Sequence, residues 1–300
     1  MSNDAAKLSA LAPLGREEYI EQAHFFRALA ERLRENVPAQ EVLASVREEV
    51  LATTKLPMAI DFLLAELRHA GAFGAAMSRL DHYFTPFQAF VVQEAENERG
   101  RFDLRIGLEI LRRESEYRAA EPSRQGIFLY QLESLARNRL GYDRGLEAVA
   151  RDPAFDSTWQ DWIRTVRRQI GMVELADLIY VHSEHYRERA ERNQSRGDDS
   201  AAGSTPGVVL FGEREGRIAL ANRRKDPLYL FASLHRQLGY PEVPRPEPTA
   251  AEQTLLPQLA RRLEQMEMRL KLVEEEQRGG IDLTQFYERP GENRPPKGPP

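Results

Sequence analysis

From residue 14 to residue 193 the apolar residues return at spacings of three and four almost without a break, a period that belongs to helices. Ile20, Ala23, Phe26, Ala30, Leu33 and Val37 form a first stripe, which Pro38 ends. Val42, Leu43, Val46 and Val50 form a second. Ile60, Leu63, Leu64 and Leu67 form a third between Pro57 and Gly71, and Phe73, Met77, Leu80 and Phe84 a short fourth. Thr85 and Gln88 make a capping box around Pro86, so a fifth helix starts there and runs to about Ala119, with Gly100 and Gly107 able to bend it. Pro122–Ser123 opens a sixth, which Gly141 is expected to end with φ > 0. Asp143 to Ala150 is a seventh. An eighth runs from Asp156 toward Asn193, roughly 55 Å at the standard rise. Its stretch from Ile170 to Val181 is apolar nearly all round, as the central buried helix of an antiparallel bundle would be.

Periodicity stops at the Gly-, Ser- and Asp-rich stretch that follows. Val208–Phe211 and Arg217–Ala221 flank a turn at Arg214-Glu215-Gly216 and read as a β-hairpin. Asp226 then caps a helix that runs to Leu238. The expected organisation is mainly α. Residues 1–13 are a disordered N-terminus, 14–193 an antiparallel bundle of about eight helices, and 194–207 a flexible linker. Residues 208–240 form the hairpin plus helix, 241–249 a Pro-rich spacer, 250–278 a coiled-coil helix and 279–300 a mostly disordered tail.

The coiled-coil expectation rests on Leu256, Leu259, Leu263, Met266, Leu270 and Val273, an a/d seam three heptads long. With Leu256 at a, Arg262 and Arg269 fall at g and Glu267 and Glu274 at e. In a parallel homodimer each g residue faces the e residue five positions on in the partner, so Arg262 meets Glu267 and Arg269 meets Glu274. The partner named by residues 256–277 is a second copy of the chain.

Composition narrows the chemistry. The net charge of −5 argues against a general nucleic-acid binder. Absence of cysteine removes disulfides, thiolate nucleophiles and thiolate metal sites. No GxxxxGK[ST], GxGxxG or GxSxG occurs, and no cofactor is implied. No apolar run approaches the length of a membrane span, and residues 1–15 lack a secretory pattern, so the expected setting is cytoplasmic, without a membrane.

One metal hypothesis stands out. Glu21/His24 and Glu66/His69 are two Glu-x-x-His pairs on helical segments, and Glu94 is a candidate single carboxylate. Carboxylate-bridged di-metal bundles draw ligands from such pairs. The order differs here, because both pairs precede the single Glu. Glu133, Glu174 and Asp177 are further carboxylates on apolar faces. Asp177, if buried, needs a partner such as an Arg of the fifth or sixth helix. His182 and His185 read as a buried helix emerging into solvent, and Trp159 and Trp162 as core. Arg167-Arg168 and Arg223-Arg224-Lys225 are short basic clusters that could touch phosphate or simply be solvated.

Leu140-Gly141-Tyr142-Asp143, Leu146 to Ala150, Asp152-Pro153 and Trp159 together resemble one tetratricopeptide unit. The resemblance spans a single unit, where a solenoid stacks at least three, and implies a local helix hairpin. The expected function is a non-enzymatic helical scaffold or interaction protein that self-associates through its C-terminal coiled coil and receives a protein partner. A helical-bundle metalloprotein or enzyme is the alternative, and a nucleic-acid-associated regulator the third.

Overall fold

Residues 13–35, 37–97, 102–195, 208–246 and 266–271 are described by a computed structural model of the chain. The chain divides into two compact units, 1–246 and 247–300. Among the described residues of the first unit the helices are α1 (Arg16–Arg34), α2 (Ala39–Glu49), α3 (Leu56–Ala70), α4 (Phe73–Arg79), α5 (Pro86–Glu96), α6 (Leu104–Ala119) and α7 (Arg124–Arg137). They continue as α8 (Tyr142–Ala150), α9 (Ser157–Gln169), α10 (Leu175–Val181), α11 (Glu184–Ser195), α12 (Glu213–Ala221) and α13 (Pro227–Leu238). In the second unit, 266–271 are helical and every one of these residues is exposed.

The most extensive packing joins α1 to α6, which are far apart in sequence. Phe25 and Phe26 of α1, with Phe84, Phe87 and Val91 beside α5 and Leu108, Ile110 and Leu111 of α6, are essentially fully buried. Each such side chain contributes about 1.5–3 kcal/mol of burial. Tight approaches depend on small residues. A Cβ on Gly74 would stand 2.7 Å from the Gln93 amide nitrogen, so α4 and α5 touch backbone to side-chain stem there.

Local signals are seen where they were read. The Thr85–Gln88 capping box closes in both directions. Gly71, at φ 68°, ends α3, and Asp156 and Asp226 cap α9 and α13 by accepting from the backbone amides of Trp159 and Leu228. The segments that resemble a tetratricopeptide hairpin are α8 and α9, which pack on one another.

Five expectations are corrected. The fifth helix is two, because α5 ends at Glu96 and Asp103 caps a new start by accepting from Arg105 N at 2.8 Å. Gly107 lies inside α6 against Phe102 and Val91. Gly141 does not end α7. Arg139 takes the left-handed conformation at φ 53°, Leu140 N bonds Leu135 O at 3.0 Å in a Schellman closure, and Gly141, at φ −61°, starts α8.

The long eighth helix is three. Gly171 at φ 89° breaks it after α9, and a second break at His182–Ser183 separates α10 from α11. The stretch 170–181 is therefore a turn followed by the single helix α10, and it is not buried all round, since Met172 in the turn is 79% exposed. The hairpin is absent. Residues 213–221 are helical, with Glu213 and Glu215 in the first turn and Glu213 paired with Arg217 one turn on, both of which favour helix. The Val208–Phe211 segment forms only an isolated bridge and finds its backbone partners in the α10–α11 break, where Leu210 N bonds His182 O at 2.8 Å and Glu184 N bonds Phe211 O at 3.0 Å.

The start of the Pro-rich spacer is no free tether either. Arg113 donates to Glu242 O at 2.7 Å and Asn138 to Pro244 O at 3.0 Å, and Tyr240 and Val243 are buried. Of the coiled-coil seam, Leu256, Leu259, Arg262, Leu263, Val273 and Glu274 lie outside the described residues.

Candidate functional site

Inside the first unit a polar seam crosses the apolar core. Gln22 of α1, Gln88 of α5 and Ser115 of α6 are fully buried. Gln22 Nε2 donates to Tyr83 O at 3.0 Å, and its Oε1 accepts from Gln88 Nε2 at 3.1 Å. The Ser115 hydroxyl donates to Leu111 O at 2.9 Å. Burying an amide costs free energy unless it is bonded, so Gln22 and Gln88 hold α1 and α5 in a defined register.

Beside it the seam becomes ionic. The side chains of Glu114, Arg118 and Asp152 are 1%, 2% and 0% exposed. Arg118 Nη2 reaches Glu114 Oε1 at 2.9 Å and Nη1 reaches Asp152 Oδ1 at 3.3 Å, with a second contact from Nη2 to Asp152. Gln131 of α7 lies 2.7 Å from Glu114 Oε1 and 2.9 Å from Asp152 Oδ2 through the same amide nitrogen. Asp152 Oδ1 also accepts from Ala154 N at 3.0 Å, and the Tyr19 ring lies 5.9 Å from the guanidinium carbon.

Two carboxylates face one guanidinium, so full ionisation would leave a net buried negative charge. Burial raises the Glu114 pKa, Arg118 opposes the rise, and the neighbouring Asp152 charge adds to it; the net shift is upward. Burial works against the Arg118 charge, but Asp152 and Glu114 more than offset it, and its pKa stands well above the ordinary value. The upward shift of Glu114 is the direction that relieves this excess of negative charge, and its Oε2 has no hydrogen-bond partner among the described residues. The cluster joins α6, α7, the α8–α9 connection and, through Tyr19, α1. With every member buried, it serves cohesion and offers no approach to a substrate.

Among the described residues, hollows on the surface include three of about 330–410 Å³. One of about 330 Å³ lies between α5 and α8 over Phe84 and Phe90. Its rim charges are mostly spent on one another. Arg144 pairs with Glu94 at 3.2 Å and lies over Phe90, and Arg167 pairs with Asp143 at 2.7 Å and with Glu147. A second, of about 410 Å³, lies between α1 and α6 and is lined by Glu21, His24, Arg27 and Glu116. The third, of about 360 Å³, runs along α13 and is lined by Asn222, Lys225, Tyr229, Ala232, Ser233 and Arg236, with no carboxylate among them.

The metal candidates separate. Glu21 and His24 share the α1–α6 hollow, but Glu21 Oε2 accepts from Leu51 N at 2.9 Å, and His24 lies 3.1 Å from Arg27 and 3.8 Å from Glu49. Glu66 is paired with Arg79, His69 is exposed near the end of α3, and Glu94 is paired with Arg144. Among the described residues no group of three or more His, Asp or Glu side chains is placed to hold a metal ion.

Other nominated residues find structural partners. Glu133 takes Arg137 at 2.5 Å and the Tyr240 hydroxyl at 2.7 Å. Asp177 is half-buried and pairs with Arg223, from the α12–α13 connection and not from the fifth or sixth predicted helix. His182 stands edge-on to Trp162 and His185 lies near Tyr180. Trp159 and Trp162 are core, packed with Phe128 and Phe211. Met266, Glu267, Arg269 and Leu270 occupy the described exposed helical stretch.

Sequence reasoning missed the Glu114–Arg118–Asp152 cluster. The Glu114/Arg118 spacing of four was visible, but with 30% charged residues such pairs abound, and most lie on surfaces. It also missed carboxylates that cap from a distance. Glu96 receives Phe73 N at 2.5 Å and Gly74 N at 2.8 Å at the start of α4, and Glu18 receives Lys55 N at 2.9 Å before α3. Compared with known protein families, curated proteins and solved structures, the chain matches none.

Proposed function

We propose that this is a non-enzymatic helical interaction protein whose copies pair in parallel through residues 256–277. The observation that carries the reading is the state of the seam where it is described. Residues 266–271 are helical, and Met266 at d and Leu270 at a are each 60% exposed, so a single chain leaves both apolar side chains in water. Pairing would bury them, at about 1.5–3 kcal/mol for each fully covered side chain. The g–e ion pairs add a few tenths each and choose orientation more than they add strength. Three heptads alone are marginal, so the dimer is expected to depend on concentration.

Light scattering on the full chain tests this. A dimer that becomes monomeric in the L263E/L270E variant supports the reading, and a full-length monomer at high concentration sinks it. Arg262→Glu with Arg269→Glu should weaken self-pairing. Mixing that variant with the Glu267→Arg, Glu274→Arg chain should restore a mixed dimer if the helices run parallel in the proposed register.

A further inference from the structure

The Arg223-Arg224-Lys225 cluster noted in the sequence immediately precedes α13, and the self-pairing reading leaves the surface around it unused. The connection between α9 and α10 and that between α12 and α13 are tied together, because Glu174 Oε2 accepts from Arg224 N at 2.7 Å and Asp177 pairs with Arg223. Arg224, Lys225 and Arg236 are exposed here, and none pairs with a carboxylate among the described residues. The nearby acids are already engaged: Glu174 on that amide, Asp177 on Arg223, and Asp226 as the α13 cap. Two large apolar side chains at the start of α13 adjoin these cations, Tyr229 at 63% and Leu228 at 48% exposed.

The hollow along α13 sharpens the chemistry. Tyr229, Ala232, Ser233 and Arg236 recur at three and four on one stripe, which spans about 10 Å from Tyr229 to Arg236. Lys225 closes one end and Arg236 the other, and no carboxylate lines the space between. The α5–α8 and α1–α6 hollows, by contrast, carry acidic side chains of their own.

We infer that this face docks an acidic peptide segment of a partner protein, with glutamates or aspartates on Lys225 and Arg236 and an apolar side chain against Leu228 and Tyr229. A lone phosphate would satisfy the cations and leave Leu228 and Tyr229 in water. A bilayer would cover the apolar tips, but its flat surface does not enter a hollow whose walls include the half-buried Asn222 and Ser233. A peptide side chain fills that hollow and brings both charge and apolar surface, the pairing of anchor and charged rim that interfaces use.

The test is fluorescence anisotropy on the full chain with a dye-labelled peptide in which glutamates flank a leucine–phenylalanine pair. Saturable binding is expected, weakened at least tenfold in K225E/R236E and in Y229S, and lost when glutamine replaces the peptide's glutamates. Circular dichroism should show unchanged helicity in both variants, since the substituted side chains are at least half exposed or charged and at the surface. Absence of binding, or equal binding by K225E/R236E, overturns the inference. So does retention of phosphatidylserine vesicles or inorganic phosphate through these same residues when the peptide is not bound.

Discussion

Arg118 and the Lys225–Arg236 pair show one kind of charge in two surroundings. At Arg118 the guanidinium is 2% exposed and two carboxylates and a glutamine amide crowd around it, so its neighbours account for every nearby charge. At α13 the cations reach water with no carboxylate in the hollow they line. The first arrangement holds helices together, and removing one member leaves a buried charge without its partner. The second adds almost nothing to cohesion, because an exposed cation is already solvated. Its free valence is therefore available to something outside the chain.

The sharpest way to break this contrast is Asp152→Asn. It keeps the shape, removes the charge from Arg118 and turns an amide donor toward Gln131. A loss of about 1.5–3 kcal/mol is expected from urea unfolding of the full chain, the range for lost hydrogen bonds to a charged group, because Glu114 stays within reach of Arg118. A loss below about 1 kcal/mol would mean that the cluster is not the lock inferred from its geometry.

Gly74→Ala comes next. Its new Cβ would meet the Gln93 backbone at 2.7 Å, and an overpacked contact of that kind costs about 1–3 kcal/mol. The melting temperature checks it, and an unchanged value would show that α4 can move away from α5 at little cost.

Glu114→Gln gives a smaller effect with a sign that depends on pH. Because the folded pKa is raised, the folded state holds its proton when the unfolded chain has released it. Stability from this group is thus fully present at acid pH and falls as pH rises from the ordinary carboxylate range through the folded pKa. The variant cannot ionise, so it should gain on the parent as pH rises above the ordinary carboxylate range. Parallel stability curves for the two proteins would show that Glu114 does not carry the proton.

At the other end of the scale, K225E/R236E should change unfolding free energy by no more than about 0.5 kcal/mol, as surface substitutions without partners do. A larger loss would show that these cations serve the fold after all.

Much of the local structure could be read in advance. The capping box at Thr85–Gln88, the stop at Gly71 and the caps at Asp156 and Asp226 are each decided within a few residues, and each is present. The failures share a cause. Arg217–Ala221 is a short apolar run, and period alone does not tell a strand from a helix turn at that length. Val208–Phe211 bonds instead to His182–Glu184, a pairing no neighbouring residue announces. Among the candidate site residues, Glu21 and His24 share a face as their spacing required. Whether a second helix would bring Glu66, His69 or Glu94 to them depended on packing, and it brings arginines to Glu66 and Glu94.

By itself the sequence determined that this protein is mainly helical and where most helices start, because those outcomes follow from contacts three and four residues apart; it did not decide every inward face, since Ile20, Met172 and Leu228 are exposed. Tertiary structure alone decided that Arg118 faces Asp152 across 34 residues, that Glu96 caps α4, and that Lys225 and Arg236 share a hollow free of acid. The reason is one of reach. Helix geometry fixes a residue's neighbours on its own turn, whereas neighbours on another helix depend on how whole faces pack, and many faces in this chain are alike in composition.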